Sequence, residues 1–180
     1  EPGRPPARRS RSAERSVRLR RVHPDDFPAL HHFPLAQPDN AWLAEVAEII
    51  DGLPGWLHSI EAAERDRHVV VLDDGGEIVG VGAHEAVVDE FGRIHLAHRY
   101  LMVTAIRDDR RRQGLARLLV ESIVADLQRR HTSSISWLVH PDNEASLAFS
   151  RAVFPDADET SPPEDKPYIA FTLHLGDASQ

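Results

Sequence analysis

The sequence predicts an α+β domain in which a mixed, mostly antiparallel central sheet is flanked by helices. In the first half of the chain, short apolar runs of the strand type are joined by turns rich in glycine and aspartate, which indicates antiparallel hairpins. In the second half, such runs alternate with segments of helical periodicity, which indicates helices between strands. The expected order is strand, two helices, three antiparallel strands, helix, strand, helix and strand.

The folded part begins with a strand and two helices. Residues 17–22 alternate apolar and charged side chains, as the edge strand of a sheet does. Residues 24–32 form a helix that starts with proline, and a second helix begins at a cap, Asp39 or Asn40, and ends at Gly52. The second helix is expected to bury one apolar side, made of Trp42, Val46, Ile49 and Ile50.

The rest of the chain supplies five strands and two helices. Residues 53–66 fit a helix and a loop equally well, and residues 155–167, rich in proline and acidic side chains, are expected to form a loop. The predicted strands are 68–72, 77–88, the run that ends at Ile106, 134–140 and 168–175, and the predicted helices are 114–130 and 143–153.

The turn after Ile106 has the features of a phosphate-binding site. It is dense in arginine and leads into a helix, whose first N–H groups and positive dipole end favour anions. Gly114 and Ala116 carry almost no side chain, so a phosphate group could approach the main chain closely. We therefore interpret the turn as a cradle for a diphosphate.

Other phosphate-binding loops do not fit this turn. The P-loop pattern is absent, and the pair Gly80 and Gly82 lacks the third glycine of a dinucleotide fingerprint. The pattern that fits is Arg/Gln-x-x-Gly-x-Gly/Ala, over residues 111–116. In this the turn resembles the acyl-CoA-binding motif of the GCN5-related N-acetyltransferase (GNAT) superfamily. The order of elements after residue 16 also resembles that of the GNAT fold.

The resemblance implies which residues hold the cosubstrate, acetyl-CoA or another acyl-CoA. Main-chain groups of Thr104, Ala105 and Ile106 would align the thioester, and the turn would hold the diphosphate. The implied cradle consists of Arg111, Arg112, Gln113, Gly114, Leu115, Ala116 and Arg117.

A second motif lies 29 residues beyond Gly114, where residues 143–150 resemble the family pattern Asn-x-x-Ala-x-x-Phe-Tyr. The resemblance implies that Asn143 hydrogen-bonds the pantetheine arm, although asparagine there also suits a helix N-cap. Family members often place a tyrosine after the phenylalanine, where it protonates the leaving thiolate. This chain has Ser150, a shorter and weaker acid, which would act through water or not at all.

The resemblance does not identify the general base. An amine of pKa about 10 is mostly protonated at neutral pH, so the enzyme has to remove a proton. Many family members use a carboxylate on the strand before the motif, but counting back by twos from Ile106 gives Thr104, Met102, Tyr100 and His98, with no carboxylate. The candidates are His98, Tyr100 and, on the neighbouring strand, Glu85. For each of the three, the alternative is that it is a packed or surface side chain with no catalytic role.

The composition of the chain argues against a metal-binding protein, a membrane protein and a nucleic-acid-binding protein. The chain has no cysteine, its 11 histidines form no His-Glu-x-x-His pattern, and no apolar run approaches the length of a membrane span. We expect no metal site, no membrane segment and a cytoplasmic location. Residues 1–16, with five arginines, are expected to be a flexible tail rather than a nucleic-acid-binding arm, and residues 17–180 a single domain.

Two functional hypotheses follow. The first is an N-acyltransferase that moves an acetyl group from acetyl-CoA to a primary amine of a small molecule or peptide by direct attack. Acidic residues in 155–167 and in the early helices would favour a cationic acceptor, but solubility alone also accounts for them. The second is an acyl-CoA-binding sensor or interaction protein of the same fold with little catalysis. The acceptor, the acyl length and the oligomeric state, including a homodimer, stay open.

Overall fold

The computed structural model describes residues 17–35, 41–161 and 168–176. The expected tail, the helix cap at Asp39 or Asn40, the side chain of Trp42 and residues 162–167 of the expected loop lie outside this described part. Of the described helices, none is long and apolar enough to cross a membrane.

Seven strands form one sheet. They are β1 (Arg18–Arg21), β2 (His68–Asp74), β3 (Glu77–Val88), β4 (Ile94–Ile106), β5 (Ser134–Val139), β6 (Asp158–Thr160) and β7 (Ile169–His174). Their order across the sheet is β1-β2-β3-β4-β5-β7-β6, and among these described strands only β4 and β5 pair in parallel. The predicted mixed, mostly antiparallel sheet is therefore confirmed, whereas β6 lies in a segment that was predicted as a loop.

Helices pack on both faces of this sheet. They are α1 (Phe27–His31), which follows a 3-10 turn, α2 (Ala41–His58), α3 (Leu115–Arg129) and α4 (Glu144–Val153). On one face, Leu30 of α1 and Ile50 of α2 are buried against β2, β3 and β4. On the other face, Leu119 and Ile123 of α3 are buried. A Cβ atom at Gly82 of β3 would lie 2.8 Å from Ile123 Cδ1, so glycine permits the close approach of α3 to the sheet.

The second helix is longer than predicted. It continues through Gly52 and Pro54 to His58, so the predicted end at Gly52 is wrong. Leu53 is buried and Trp56 packs on the same cluster, so the apolar side of the helix extends past the predicted end. Burial of that side outweighs the low helix propensity of glycine and proline.

A β-bulge interrupts β4 next to the predicted thioester site. The register against β3 shifts so that Met102 has no partner between Leu101 and Val103. An extra residue reverses the side-chain alternation that follows it. Tyr100 and Thr104 therefore lie on opposite faces of the sheet, and the predicted alternation by twos from Ile106 to His98 is wrong.

Candidate active site

Strands β4 and β5 separate partway along their length. They pair at only three positions, the last of which joins Tyr100 to Ser136, although β4 continues to Ile106 and β5 to Val139. Beyond Tyr100, the main-chain groups of β4 on this side have no ladder partner among the described strands. A cleft of about 450 Å³ lies between the end of β4, the start of α3 and the start of α4.

The loop between β4 and α3 exposes a run of main-chain donors to this cleft. Arg112 and Gly114 have left-handed backbone conformations, with φ of 60° and 77°, and Gly114 is the N-cap of α3. Within the described part of the chain, the N–H groups of residues 112–117 have no hydrogen-bond acceptor, as expected for a loop that ends in a helix N-terminus. A Cβ atom at Gly114 would meet nothing within 4 Å, so the main chain there is open to a bound group. This arrangement suits a diphosphate.

Most arginines around this loop are held by carboxylates. Arg110 lies 2.7 Å from Asp74, and Arg107 is paired with both Asp109 and Glu77. The weaker pairs are Arg111 with Asp108 at 3.4 Å and Arg117 with Glu121 at 3.2 Å. Arg112 lines the cleft and has no ion pair among the described residues. The paired arginines therefore stabilise the loop, whereas the main chain and Arg112 are available to a ligand.

A second cavity of about 180 Å³ continues from the inner end of the cleft. The two cavities share Val46, Thr104, Asn143, Ser146 and Phe149. A ligand with its phosphates at the loop could therefore present its far end, beside Thr104, to the second cavity. The walls of that cavity are largely apolar and include the aromatic side chains of Trp137, Phe149, Phe154 and Tyr168.

Polar groups line one side of this inner cavity. The Tyr168 hydroxyl donates a hydrogen bond to Glu45 Oε2 at 3.1 Å, and this hydrogen bond raises the pKa of Tyr168 above its usual value. The His140 ring meets the Tyr168 ring edge-on, with centroids 5.7 Å apart. Within the described residues, Glu45 has no basic side chain paired with it. The cavity thus combines an apolar body with one carboxylate.

Helix α4 and its N-cap bring Asn143 and Ser150, the two candidate site residues of the second motif, to the cavities. The Asn143 side chain accepts the N–H of Ser146 at 3.1 Å, so it is an N-cap, and it also lines both cavities. Ser150 is buried, and its Oγ accepts the Nε1–H of Trp137 at 3.0 Å. Trp137 in turn stacks on Phe171, with an angle of 7° between the rings. Ser150 therefore holds a wall of the inner cavity in place.

The three candidates for the general base lie elsewhere. Glu85 is bound to Arg67 at 2.9 Å, and His98 Nδ1 lies 2.8 Å from Ser134 Oγ near the other end of β4. Tyr100 is half-buried, and burial raises its pKa. None of the three lines the two cavities that the described residues form.

The structure thus brings together part of the predicted site. Thr104, Ala105, Ile106, Asn143 and the cradle residues other than Gln113 line the outer cleft, and Ser150 lines the inner cavity. Gln113 instead accepts from Arg110 at 3.3 Å. Sequence reasoning missed Tyr168 and the pairing of Glu45 with it. These two residues are 123 positions apart, so no local signal could have joined them.

Comparison with known proteins agrees with this geometry. The model of a family described as "Acetyltransferase (GNAT) family" matches residues 19–153. The chain therefore belongs to the GNAT family of acetyltransferases, and the resemblance drawn from the two motifs is confirmed. No curated protein matches the sequence.

Solved structures of acetyltransferases have the same fold. The ribosomal-protein-S18-alanine N-acetyltransferase from Escherichia coli is 18% identical, with 92% of this chain and 97% of that chain covered and a TM-score of 0.63. An acetyltransferase from Thermus thermophilus is 21% identical, with 88% and 97% covered and a TM-score of 0.64. The PaiA N-acetyltransferase from Thermoplasma acidophilum, solved in complex with coenzyme A, is 9% identical, with 88% and 99% covered and a TM-score of 0.66.

Proposed function

We propose that this chain is an N-acetyltransferase that transfers the acetyl group of acetyl-CoA to a primary amine by direct attack. The observation that carries the proposal is the run of unpaired N–H groups at residues 112–117, which opens onto a cleft between two separated strands. Membership of the GNAT family supports the same activity.

Successive parts of the cleft match successive parts of coenzyme A, from its phosphates to its thiol end. The N–H groups of residues 112–117 would hold the diphosphate, and Arg112 is available for the remaining phosphate. The pantetheine arm would follow the unpaired edge of β4 at residues 104–106, past the side chain of Asn143. When bound, acetyl-CoA supplies an acyl group activated as a thioester. Thr104 lies where the two cavities meet, so it would mark the reacting end.

The inner cavity suits a cationic amine as acceptor. Most free amines are protonated at neutral pH, and a carboxylate that lines an apolar cavity from its exposed side, as Glu45 does, attracts such a cation. Glu45 provides that carboxylate, and we assign it the role of taking the proton that the amine has to lose. Because the pKa of Tyr168 is raised, its hydroxyl keeps its proton and holds the Glu45 carboxylate in place.

Replacement of Gly114 by valine tests the cradle directly. A side chain there would occupy the space above the main-chain donors, and the left-handed conformation is strongly disfavoured for valine. We expect Gly114→Val to weaken CoA binding by about tenfold or more, which corresponds to about 1.4 kcal/mol. Gly92→Val is the matched control, since Gly92 also has a φ of 77° and open space around it but lies in the turn between β3 and β4.

Calorimetry with CoA and thiol release with a panel of amines separate the outcomes. Binding that Gly114→Val impairs and Gly92→Val does not, together with thiol release on at least one amine, supports the proposal. Binding without thiol release on any amine would instead favour an acyl-CoA sensor. If CoA produces no heat with the wild-type protein, the proposal is wrong.

A further inference from the structure

A second basic pocket lies at the opposite end of α3 from the cradle. Helix α3 has 15 residues, so its two ends are about 20 Å apart. At its C-terminal end, two adjoining cavities of about 210 and 280 Å³ share His84 and Arg130 as lining residues. We call the two cavities together the C-terminal pocket. It shares no lining residue with the cleft or the inner cavity.

The C-terminal pocket carries more positive than negative charge. The lining acidic residues are Asp66, which binds Arg99 at 2.8 Å, and Asp126, which lies 2.7 Å from Arg130. The lining arginines are Arg20, Arg21, Arg99, Arg129 and Arg130. Of these, Arg20 is bound to Asp26 at 2.6 Å and to Asp73 at 2.7 Å. Arg21 has no ion pair within the described part of the chain, and Arg129 shares Asp126 with Arg130. This excess of positive charge occurs in a chain whose net charge is -8.

Arg99 is the most deeply buried of these arginines. Its side chain is only 2% exposed, and its guanidinium donates to Asp66 and, at 3.1 Å, to His84 Nδ1. The Nε–H group of Arg99 has no acceptor among the described residues. A buried donor without an acceptor is costly and uncommon in folded proteins. Arg99 therefore has one buried donor more than the described residues satisfy.

Two stacked histidines form the inner wall of the pocket. The rings of His68 and His84 are 5.1 Å apart at an angle of 24°. Burial, together with the charges of Arg99, His68 and Arg130, lowers the pKa of His84 to about 3, although Asp66 acts in the opposite sense. A neutral His84 that accepts a hydrogen bond at Nδ1 carries its proton on Nε2, which leaves a second donor.

We propose that the C-terminal pocket binds a phosphate-type oxyanion, either inorganic phosphate or the phosphate group of a small ester. Arg99, Arg130 and His84 provide donors on the walls of the 280 Å³ cavity, and Arg21 adds charge at the 210 Å³ cavity. Oxyanions match this set because each oxygen accepts several hydrogen bonds, and arginine pairs with them through two N–H groups at once. The inference is independent of the proposed catalytic function.

Histidine NMR of the full-length protein provides a readout specific to this pocket. Inorganic phosphate and glycerol phosphate are each titrated at constant ionic strength, with chloride as the balancing anion. Because phosphate could also bind to the cradle, the titration is repeated with Gly114→Val. We expect saturable shifts of the His68 and His84 ring signals in both proteins. A bound anion should also raise the pKa of both histidines, since it offsets the charges of Arg99 and Arg130.

Substitution of Arg130, which is exposed at the edge of the pocket, should weaken this binding without unfolding the protein. Arg130→Gln is expected to raise the dissociation constant by about tenfold, and the exposed Arg151→Gln serves as control and should not change it. Tighter binding of glycerol phosphate than of phosphate would identify an ester as the ligand. The proposal is wrong if the histidine signals do not move, if chloride alone moves them equally, or if Arg130→Gln binds as the wild type does.

Discussion

Acidification should destabilise this protein well above the pH at which carboxylates titrate, and His84 is the main reason. In the folded state, burial lowers the pKa of His84 to about 3, whereas an unfolded histidine titrates near 6.5. As the pH falls below 6.5, the unfolded chain binds a proton that the folded protein does not bind. Stability from His84 is therefore present above pH 6.5 and is lost as the pH falls towards the folded pKa.

The expected loss can be calculated for an accessible pH range. Between pH 7 and pH 5, linkage with these two pKa values lowers the free energy of unfolding by about 2 kcal/mol. His68, whose pKa burial also lowers, contributes with the same sign. The carboxylates of Asp26, Asp66 and Asp73 have lowered pKa values, so their contributions are lost only at more acidic pH.

Urea denaturation at pH 7, 6 and 5 in phosphate-free buffer measures this effect. His84→Asn removes the titrating ring but keeps an acceptor for Arg99, so the variant should lose much less stability over this range than the wild type, whatever its stability at pH 7. His32→Asn, at an exposed position, should follow the wild type. Equal losses for His84→Asn and the wild type would refute the linkage argument.

Three further substitutions test the active site. Arg112→Gln should reduce the preference for CoA over dephospho-CoA by about tenfold in calorimetry, whereas the control Arg151→Gln should not change it. An equal loss of affinity for both ligands would indicate that Arg112 binds the diphosphate instead. Glu45→Gln should lower kcat/KM for cationic amines by about a hundredfold at an unchanged KM for acetyl-CoA, and unchanged rates would exclude it as the base. Ser150→Ala leaves the Trp137 N–H without its acceptor, so we expect a loss of about 1–3 kcal/mol in urea denaturation. Turnover should persist, because Ser150 holds the wall of the inner cavity and is not expected to act as the general acid. A fall in kcat of about a hundredfold would instead indicate that a general acid had been lost.

The partners of the charged and titratable side chains could not be predicted from the sequence, as the histidine and arginine contacts show. The sequence predicts a phosphate-binding turn that is dense in arginine, yet Arg107, Arg110 and Arg111 are bound to carboxylates, two of which come from the β2–β3 hairpin. His84 and Arg99 gave no signal in the sequence, because their interaction depends on the pairing of β3 with β4.

The sequence by itself determined the fold class and the family and predicted where a phosphate cradle would lie, because each depends on residues close together in the chain. The periodicity of apolar residues determines which segments are strands and helices, and the geometry at Gly114 and the start of α3 is a property of a few consecutive residues. Only the tertiary structure decided which side chains surround the inner cavity. The bulge at Met102 changed which side chains of β4 share a face, and the fold brought Glu45 of α2 to Tyr168, the residue before β7. Such contacts join distant segments, so they arise from burial and strand register rather than from any local pattern.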